Sequence, residues 1–435
     1  MNIKFIDLVP SNFKSGELNL PGSKSISNRV LLLSALSRGD INIKNLLFSD
    51  DTKIMINALK KLGINISENS QLKECTIKGP ENLFLNKHAD LYIGNSGTTI
   101  RPLTAALAFN NGEYKLYGTK RMHERPIKHL VDSLISIGAK IEYLEQYGYP
   151  PILIKNSQIK KNIVNVKGNV SSQFLSSLIL SSSIFSKKKN FEIHVDGNLI
   201  SRPYIDITLK LVNLFGLKII EKKNNVFLIS SNQTLYNPKE IIIEGDASSA
   251  SYFFAAVAIG GGTLRVNGVG LKSIQGDIEF TKILEKMGVM IQMDDNFIEV
   301  TCNKILKPIN EDLNHIPDAA MTLAILALYA DGISVLRNIG SWRVKETDRL
   351  AAMSTELRKV GAKVIEGDDF LEIHPPQIIK KASIDTYDDH RIAMCFSLVC
   401  LNGLNKKGAH IRIKDPNCVS KTFPEYFEYF NNLLK

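Results

Sequence analysis

Five times along the chain a helical run of apolar positions closes on the same punctuation: a Leu or Val, two variable residues, an apolar residue and a Gly. The segments are LKKLG at 59–63, LISIG at 134–138, VNLFG at 212–216, LEKMG at 284–288 and LRKVG at 357–361. Glycine is the residue that accepts the left-handed backbone just past a helix end. Each segment runs into a strand-like piece: INI, AKI, LKI, VMI or AKV. Upstream of each lies a second pattern, small polar residues followed by an almost wholly apolar run. These are GSKSISNRVLLLSAL from Gly22, GNSGTTIRPLTAALAF from Gly94, GNVSSQFLSSLILSSSI from Gly168, GDASSASYFFAAVAI from Gly245, PDAAMTLAILALYA from Pro317 and DDHRIAMCFSLVCL from Asp388. A helix apolar on all sides is a buried one.

Successive starts lie about 70 to 77 residues apart, so the chain reads as six copies of one unit: helix, strand, helix, strand and a further strand. The sixth copy ends in FPEYFEYFNNLLK without the glycine, as a terminal copy does. Six such units exceed one core, and three plus three is the natural division. The pattern predicts an α/β protein of two similar domains, 22–244 and 1–21 with 245–435, the crossover lying near 241–248. The N-terminal strand, 2–20, is open to either half. A ligand is expected in the cleft between the domains.

The polar residues at the helix starts have two readings. Ser, Thr, Asn and Asp cap orphan N–H groups. Several buried helices aimed at one place also make an anion site, because each N-terminus carries about half a positive charge. The net charge of +10 over 435 residues favours the second reading. So does the placement of cations near these starts: Lys24, Arg29, Arg101, Arg121, Arg125, Arg202, Arg343, Lys345, Arg349 and Arg391. Arginine grips phosphate and carboxylate bidentately, and so many fixed cations imply a ligand set with more than one anionic group. The paired lysines elsewhere read as solvated loops and helix faces. Carboxylates share the same places: Asp318, Glu346, Asp348 and Asp389. Each has a bland reading as a cap or surface ion pair. A carboxylate beside a bound hydroxyl is also a general base.

Other classes fall away. GSKS lacks the GxxxxGK spacing of a phosphate-binding loop, no Ser sits in GxSxG, and no His pair has metal-ligand spacing. A site without metal or nucleotide is expected. The five cysteines are scattered and never spaced as CxxC, so they read as free thiols in a reducing compartment. The N-terminus MNIKFIDLVP has no apolar leader core. The uncharged run 247–264 is rich in serine and glycine, and the apolar run 319–330 is too short for a bilayer. A cytoplasmic protein without membrane contact follows. Aromatics are 8% and fall mostly in apolar segments, which argues against a nucleic-acid surface.

Ten motifs in order, from LPGSKSISNR through IGNSGTTIRPL, RMHERPIKHLVDSL, GNVSSQFLSSL, SRPYIDITL, EGDASSASYFF, HIPDAAMTLA, WRVKETDRLAAMSTELRKVGA and DDHRIAMCFSL to TFPEYF, resemble the 5-enolpyruvylshikimate-3-phosphate (EPSP) synthase family. The resemblance spans about 20–427. It implies two domains of three βαβαββ repeats each, an inverse α/β barrel-like arrangement. It implies transfer of the enolpyruvyl group of phosphoenolpyruvate to the 5-hydroxyl of shikimate 3-phosphate, in the shikimate pathway, through a tetrahedral intermediate, by a monomer with no cofactor. Gly97, Thr98 and Pro102 have the forms of the glyphosate-sensitive type.

Carried over residue by residue, the shikimate-phosphate contacts fall on Ser25, Arg29, Ser171, Ser172, Ser201, Asp318 and Lys345. The phosphoenolpyruvate contacts fall on Gly97, Arg125, Arg349 and Arg391, while Lys24 and Gln173 touch both. Asn95, Tyr204, Ser341 and Lys421 complete the implied substrate-binding set. Asp318 is implied as acceptor of the 5-hydroxyl proton, with Glu346 and Lys24 moving protons at the methylene carbon. Two positions depart from the pattern: Ser341 stands where the family often has Asn, and Asn417 where some members have Lys, with Lys421 in CVSKTFP supplying the charge. The alternative is the sister transferase acting on UDP-N-acetylglucosamine, which uses a cysteine on the loop 113–126; that loop here has none.

Overall fold

The computed structural model describes residues 4–79 and 83–435. Backbone contacts divide the chain into two units, Gly22–Ile243 and Met1–Pro21 with Glu244–Lys435. The recurring LxxxG segments explain how each unit is laid out. All five glycines, Gly63, Gly138, Gly216, Gly288 and Gly361, have positive φ. In each case the next residue donates its N–H to the carbonyl of the Leu or Val that opens the segment: Ile64 to Leu59, Ala139 to Leu134, Leu217 to Val212, Val289 to Leu284 and Ala362 to Leu357, at 2.9–3.1 Å. That is a Schellman stop, and a side chain at the glycine would strain it. The chain leaves each stop directly into a strand: Asn65–Asn69, Lys140–Tyr143, Ile219–Lys222, Met290–Met293 and Lys363–Glu366.

In the Gly22–Ile243 unit three helices, Lys24–Leu36, Gly97–Leu107 and Ser172–Leu180, pack on one another as the core. Three four-stranded sheets accompany them, each made of one parallel pair extended by an antiparallel hairpin. The second and third sheets are built within their own repeats. The first takes its leading strand, Glu240–Ile242, from the far end of the unit; it pairs parallel with Ile41–Lys44.

The other unit repeats the plan around helices Ala247–Gly260, Ala320–Leu326 and His390–Ser397. Every residue from Ala247 to Ile259 is buried, as its apolar run requires. The N-terminal segment resolves into two strands, and both belong to this unit. Gly16–Asn19 pairs parallel with Gly262–Asn267 and so leads the fourth repeat. Phe5–Leu8 pairs antiparallel with Ile411–Lys414, filling a strand position that the shortened sixth repeat leaves empty. Asn2 and Ile3, the start of the expected strand, lie outside the described residues.

Two expected helices are shorter than their apolar runs. The fifth ends at Leu326, because Leu328 and Tyr329 tighten to i−3 bonds. The Tyr329 hydroxyl then donates to the carbonyls of Val399 and Leu401. The sixth ends at Ser397 in a 3₁₀ turn, Leu398–Cys400.

Candidate active site

Capping accounts for three of the six buried helix starts. Ser171 accepts from the Gln173 N–H, Asp246 from Ser249 and Asp389 from Arg391. Ser23, Ser96 and Ala319 make no such side-chain bond. What gathers at the starts instead is charge, in two clusters of opposite character.

In the Gly22–Ile243 unit three buried arginines, Arg29, Arg101 and Arg125, are bonded to neutral groups. Arg29, one turn into its helix, donates from Nε to Thr208 Oγ1 (2.9 Å), from Nη1 to the Ser25 carbonyl (2.9 Å) and from Nη2 to the Tyr204 carbonyl (3.4 Å). Among the described residues no carboxylate pairs with it. Burial pulls its guanidinium down to about 10. Arg125 donates from Nη1 to both the carbonyl and Oδ1 of Asn95. Arg101 reaches Gln173 Oε1 at 2.7 Å and lies over the Phe174 ring.

Gly97 sits where these groups converge. A Cβ there would lie 2.5 Å from Arg101 Nη1, 2.8 Å from Arg125 Nη2 and 3.0 Å from Gln173 Oε1. A small cavity is lined by Arg29, Gly97, Thr98 and Gln173. Lys24 is buried 3.7 Å from Asp51, which also accepts from Thr98 Oγ1. Ser172 is buried, Ser171 half-buried, and Ser201 holds a left-handed backbone (φ 52°) at the start of helix Arg202–Leu214.

In the other unit the cations are wrapped in carboxylates. Arg349 begins helix Arg349–Lys359 and is almost fully buried. Its Nε pairs with Asp389 at 2.7 Å, Nη2 with Glu346 at 2.9 Å and Nη1 with Asp318 at 3.0 Å. Burial alone would lower its pKa, but Asp389, Glu346 and Asp318 together hold the guanidinium above the ordinary arginine range. Asp318 also binds Arg391 at 3.0 Å and faces Lys345 at 3.5 Å. Burial lowers the Lys345 ammonium, against the opposing pull of Asp318. Arg391 donates in addition to the Tyr252 hydroxyl. The turn Gly340–Val344 carries half-buried Ser341 and is pinned by Trp342, whose indole N–H donates to the Pro317 carbonyl beside Asp318. Lys421 is buried at the end of the turn Pro416–Lys421, near Asp388.

Not every cation expected at a helix mouth is there. Arg202 is tied by two bonds to Glu221 and one to Asp206 on the surface. Arg121 pairs with Glu124, and Arg343 with Asp348 and Glu366. Asp348 also leaves the cluster: it caps its helix through the Ala351 N–H. Sequence reasoning missed Asp51, Thr208 and Tyr252, whose residue types carry no signal of their own in helical runs. All five cysteines are free and buried, and burial pushes the thiols of Cys75, Cys395 and Cys400 up to about 12, so these three are no nucleophiles at neutral pH. No helix among the described residues is long and apolar enough to cross a membrane.

The fold is shared with solved enolpyruvyl transferases. The structure of EPSP synthase from Acinetobacter baumannii superposes with a TM-score of 0.79 over 99% of this chain and 98% of that one, at 24% identity. The enolpyruvyl transferase NikO from Streptomyces tendae gives 0.77 over 99% and 98%, at 14% identity. These likenesses define a two-domain inverted α/β architecture. Sequence comparison is more specific. The EPSP synthase (3-phosphoshikimate 1-carboxyvinyltransferase) family model matches residues 10–430. The chain is 54% identical to the 3-phosphoshikimate 1-carboxyvinyltransferase of Janthinobacterium sp. (strain Marseille), over 98% of this chain and 97% of that protein. It is also 54% identical to that of Paraburkholderia phytofirmans, over the full length of both. The chain belongs to the EPSP synthase family, and its activity is the family's carboxyvinyl transfer. The UDP-N-acetylglucosamine alternative is not favoured.

Proposed function

We propose that the two clusters divide the work of this reaction, with shikimate 3-phosphate and phosphoenolpyruvate as the substrates and no added cofactor. The observation that carries the proposal is Asp318, a carboxylate gripped by Arg349 and Arg391 and faced by Lys345. Among cations a carboxylate is a weak base. Bound substrate anions would share those cations and return basicity to Asp318 at the moment a hydroxyl lies beside it.

Asp318 takes the 5-hydroxyl proton as that oxygen bonds to C2 of phosphoenolpyruvate, and the C3 methylene gains a proton from Lys24 or Glu346. The tetrahedral intermediate so formed loses a proton from C3 to neutral Lys24 or to the Glu346 carboxylate and expels phosphate as its C2–O bond breaks. Fixed arginines stabilise the charge that builds on the departing group. Ser25, Arg29, Ser171, Ser172, Ser201 and Tyr204 hold shikimate 3-phosphate, with Lys345, Ser341 and Asp318. Asn95, Gly97, Arg125, Arg349, Arg391 and Lys421 hold phosphoenolpyruvate, and Lys24 and Gln173 touch both. The neutral cage of Arg29 supports this division, since a cation with no carboxylate partner has its charge left for a ligand. We read the enzyme as a cytoplasmic monomer of two three-repeat domains, 22–244 and 1–21 with 245–435.

Phosphate release from phosphoenolpyruvate tests the reading. Release is expected with shikimate 3-phosphate and not with UDP-N-acetylglucosamine; release with the second alone would overturn it.

A further inference from the structure

One buried carboxylate lies outside the cluster and has no place in the chemistry above. Glu356 is fully buried in helix Arg349–Lys359. Its Oε1 accepts from Tyr387 Oη at 2.7 Å and from Lys359 Nζ at 2.8 Å, and its Oε2 accepts from the Asp385 N–H at 3.2 Å. Lys359 continues to the Asp385 carboxylate at 2.7 Å, which Lys414 also binds. All these bonds converge on one short loop, 385–389.

That loop is strained. Tyr387 and Asp388 are consecutive non-glycine residues with φ of 55° and 54°. Such backbone persists only where its surroundings over-determine it, and it marks segments whose conformation serves function. The loop ends on Asp389, which caps helix His390–Ser397 and accepts from Arg349. Arg349 and Glu356 are seven residues apart on one helix, two turns, and so share a face. One rigid element therefore grips the loop at both ends: Arg349 holds Asp389, and Glu356 holds Asp385 and Tyr387. Arg391 emerges in the first turn after this clamp.

We propose that Glu356 is a positioning residue, which holds loop 385–389 in its strained form and thereby sets where Arg391 and Asp389 present themselves to the anionic donor substrate. The proposal rests on the reading that Arg349 and Arg391 bind phosphoenolpyruvate. Tyr387 is the second half of the device, since its hydroxyl makes the bond that keeps the left-handed turn closed.

The test is steady-state kinetics and thermal melting of the whole chain as wild type, Glu356→Gln, Tyr387→Phe and the double variant. Both single variants are expected to melt cooperatively and to raise KM for phosphoenolpyruvate about five- to tenfold, with KM for shikimate 3-phosphate within about twofold. The double variant should be no worse than Glu356→Gln alone, because the Tyr387 hydroxyl acts only through its bond to Glu356. A purely structural role would lower the melting temperature and move both KM values together or neither, and either pattern overturns the proposal. So does a donor KM within about twofold of wild type in both variants. Should Glu356→Gln fail to fold, Tyr387→Phe alone decides. Absence of phosphate release from the wild type is a separate outcome; it overturns the functional reading and this inference with it.

Discussion

Arg29 and Arg349 are both buried arginines in the first turn or two of a helix, in corresponding halves of a repeated fold, yet their surroundings are opposite. Arg29 is bonded only to hydroxyls and carbonyls, and burial lowers its pKa to about 10. Arg349 is bonded to three carboxylates, which raise its pKa. The difference teaches what each is for. A buried cation left among neutral dipoles is costly in the free protein and is relieved by a bound anion. A buried cation saturated with carboxylates is structurally satisfied. On the reading proposed above, it serves by orienting those carboxylates and by exchanging them for substrate anions.

The largest effect that would break this comparison concerns Asp318. Asp318→Asn should lower kcat about a thousandfold with KM for shikimate 3-phosphate changed little, as loss of a general base does. A loss of affinity with kcat preserved would make Asp318 a binding group instead.

The next effect is on stability. Asp389→Ala strips a fully buried partner from Arg349 and should cost about 3–5 kcal/mol in denaturant unfolding. Arg29→Met removes a cation with no carboxylate partner and should leave the ligand-free protein within about 1 kcal/mol of wild type, or more stable. Equal destabilisation of the two variants would erase the contrast.

Asp277 sharpens the same point from the acidic side. Burial, and then the Asp318 charge, push its carboxyl up to about 6. The folded chain thus prefers the neutral acid. Below pH ~4 both folded and unfolded states are protonated and the cost vanishes. Between pH ~4 and ~6 only the unfolded state ionises, so stability falls as pH rises, and it levels off above. Asp277→Asn should remove that fall and gain up to about 2–3 kcal/mol at pH 7. The smallest effect is at Gly97. Gly97→Ala places a methyl against Arg101, Arg125 and Gln173. It should raise KM for phosphoenolpyruvate about tenfold, ~1.4 kcal/mol, with little change in melting temperature.

The legible part of this molecule was its punctuation. The five LxxxG stops are local hydrogen-bond patterns set by a glycine and the leucine or valine four residues before it, so sequence spacing alone locates them. The buried helices were legible for the same reason, since an all-apolar run has one place to go. The pairing of Phe5–Leu8 with Ile411–Lys414 was not, because it joins segments some four hundred residues apart and either half offers strand edges. Cations divided along similar lines. Lys24, Arg29, Arg125, Arg349 and Arg391 sit at buried helix starts or on loops held against them. Arg121, Arg202 and Arg343 look alike in sequence, but nearby Glu and Asp residues claim them at the surface. Which carboxylate reaches which arginine is a matter of tertiary packing, and single residue types do not encode it. Asp51 illustrates the limit: as one of two acids opening a helix it reads as a dipole partner, and only packing shows it beside Lys24.

The most direct test is calorimetric titration of shikimate 3-phosphate into wild type, Arg29→Met and Asp318→Asn. The account predicts that Arg29→Met weakens binding at least about a hundredfold, while Asp318→Asn stays within about tenfold of wild type. Comparable losses in the two variants, or the larger loss at Asp318, would contradict it.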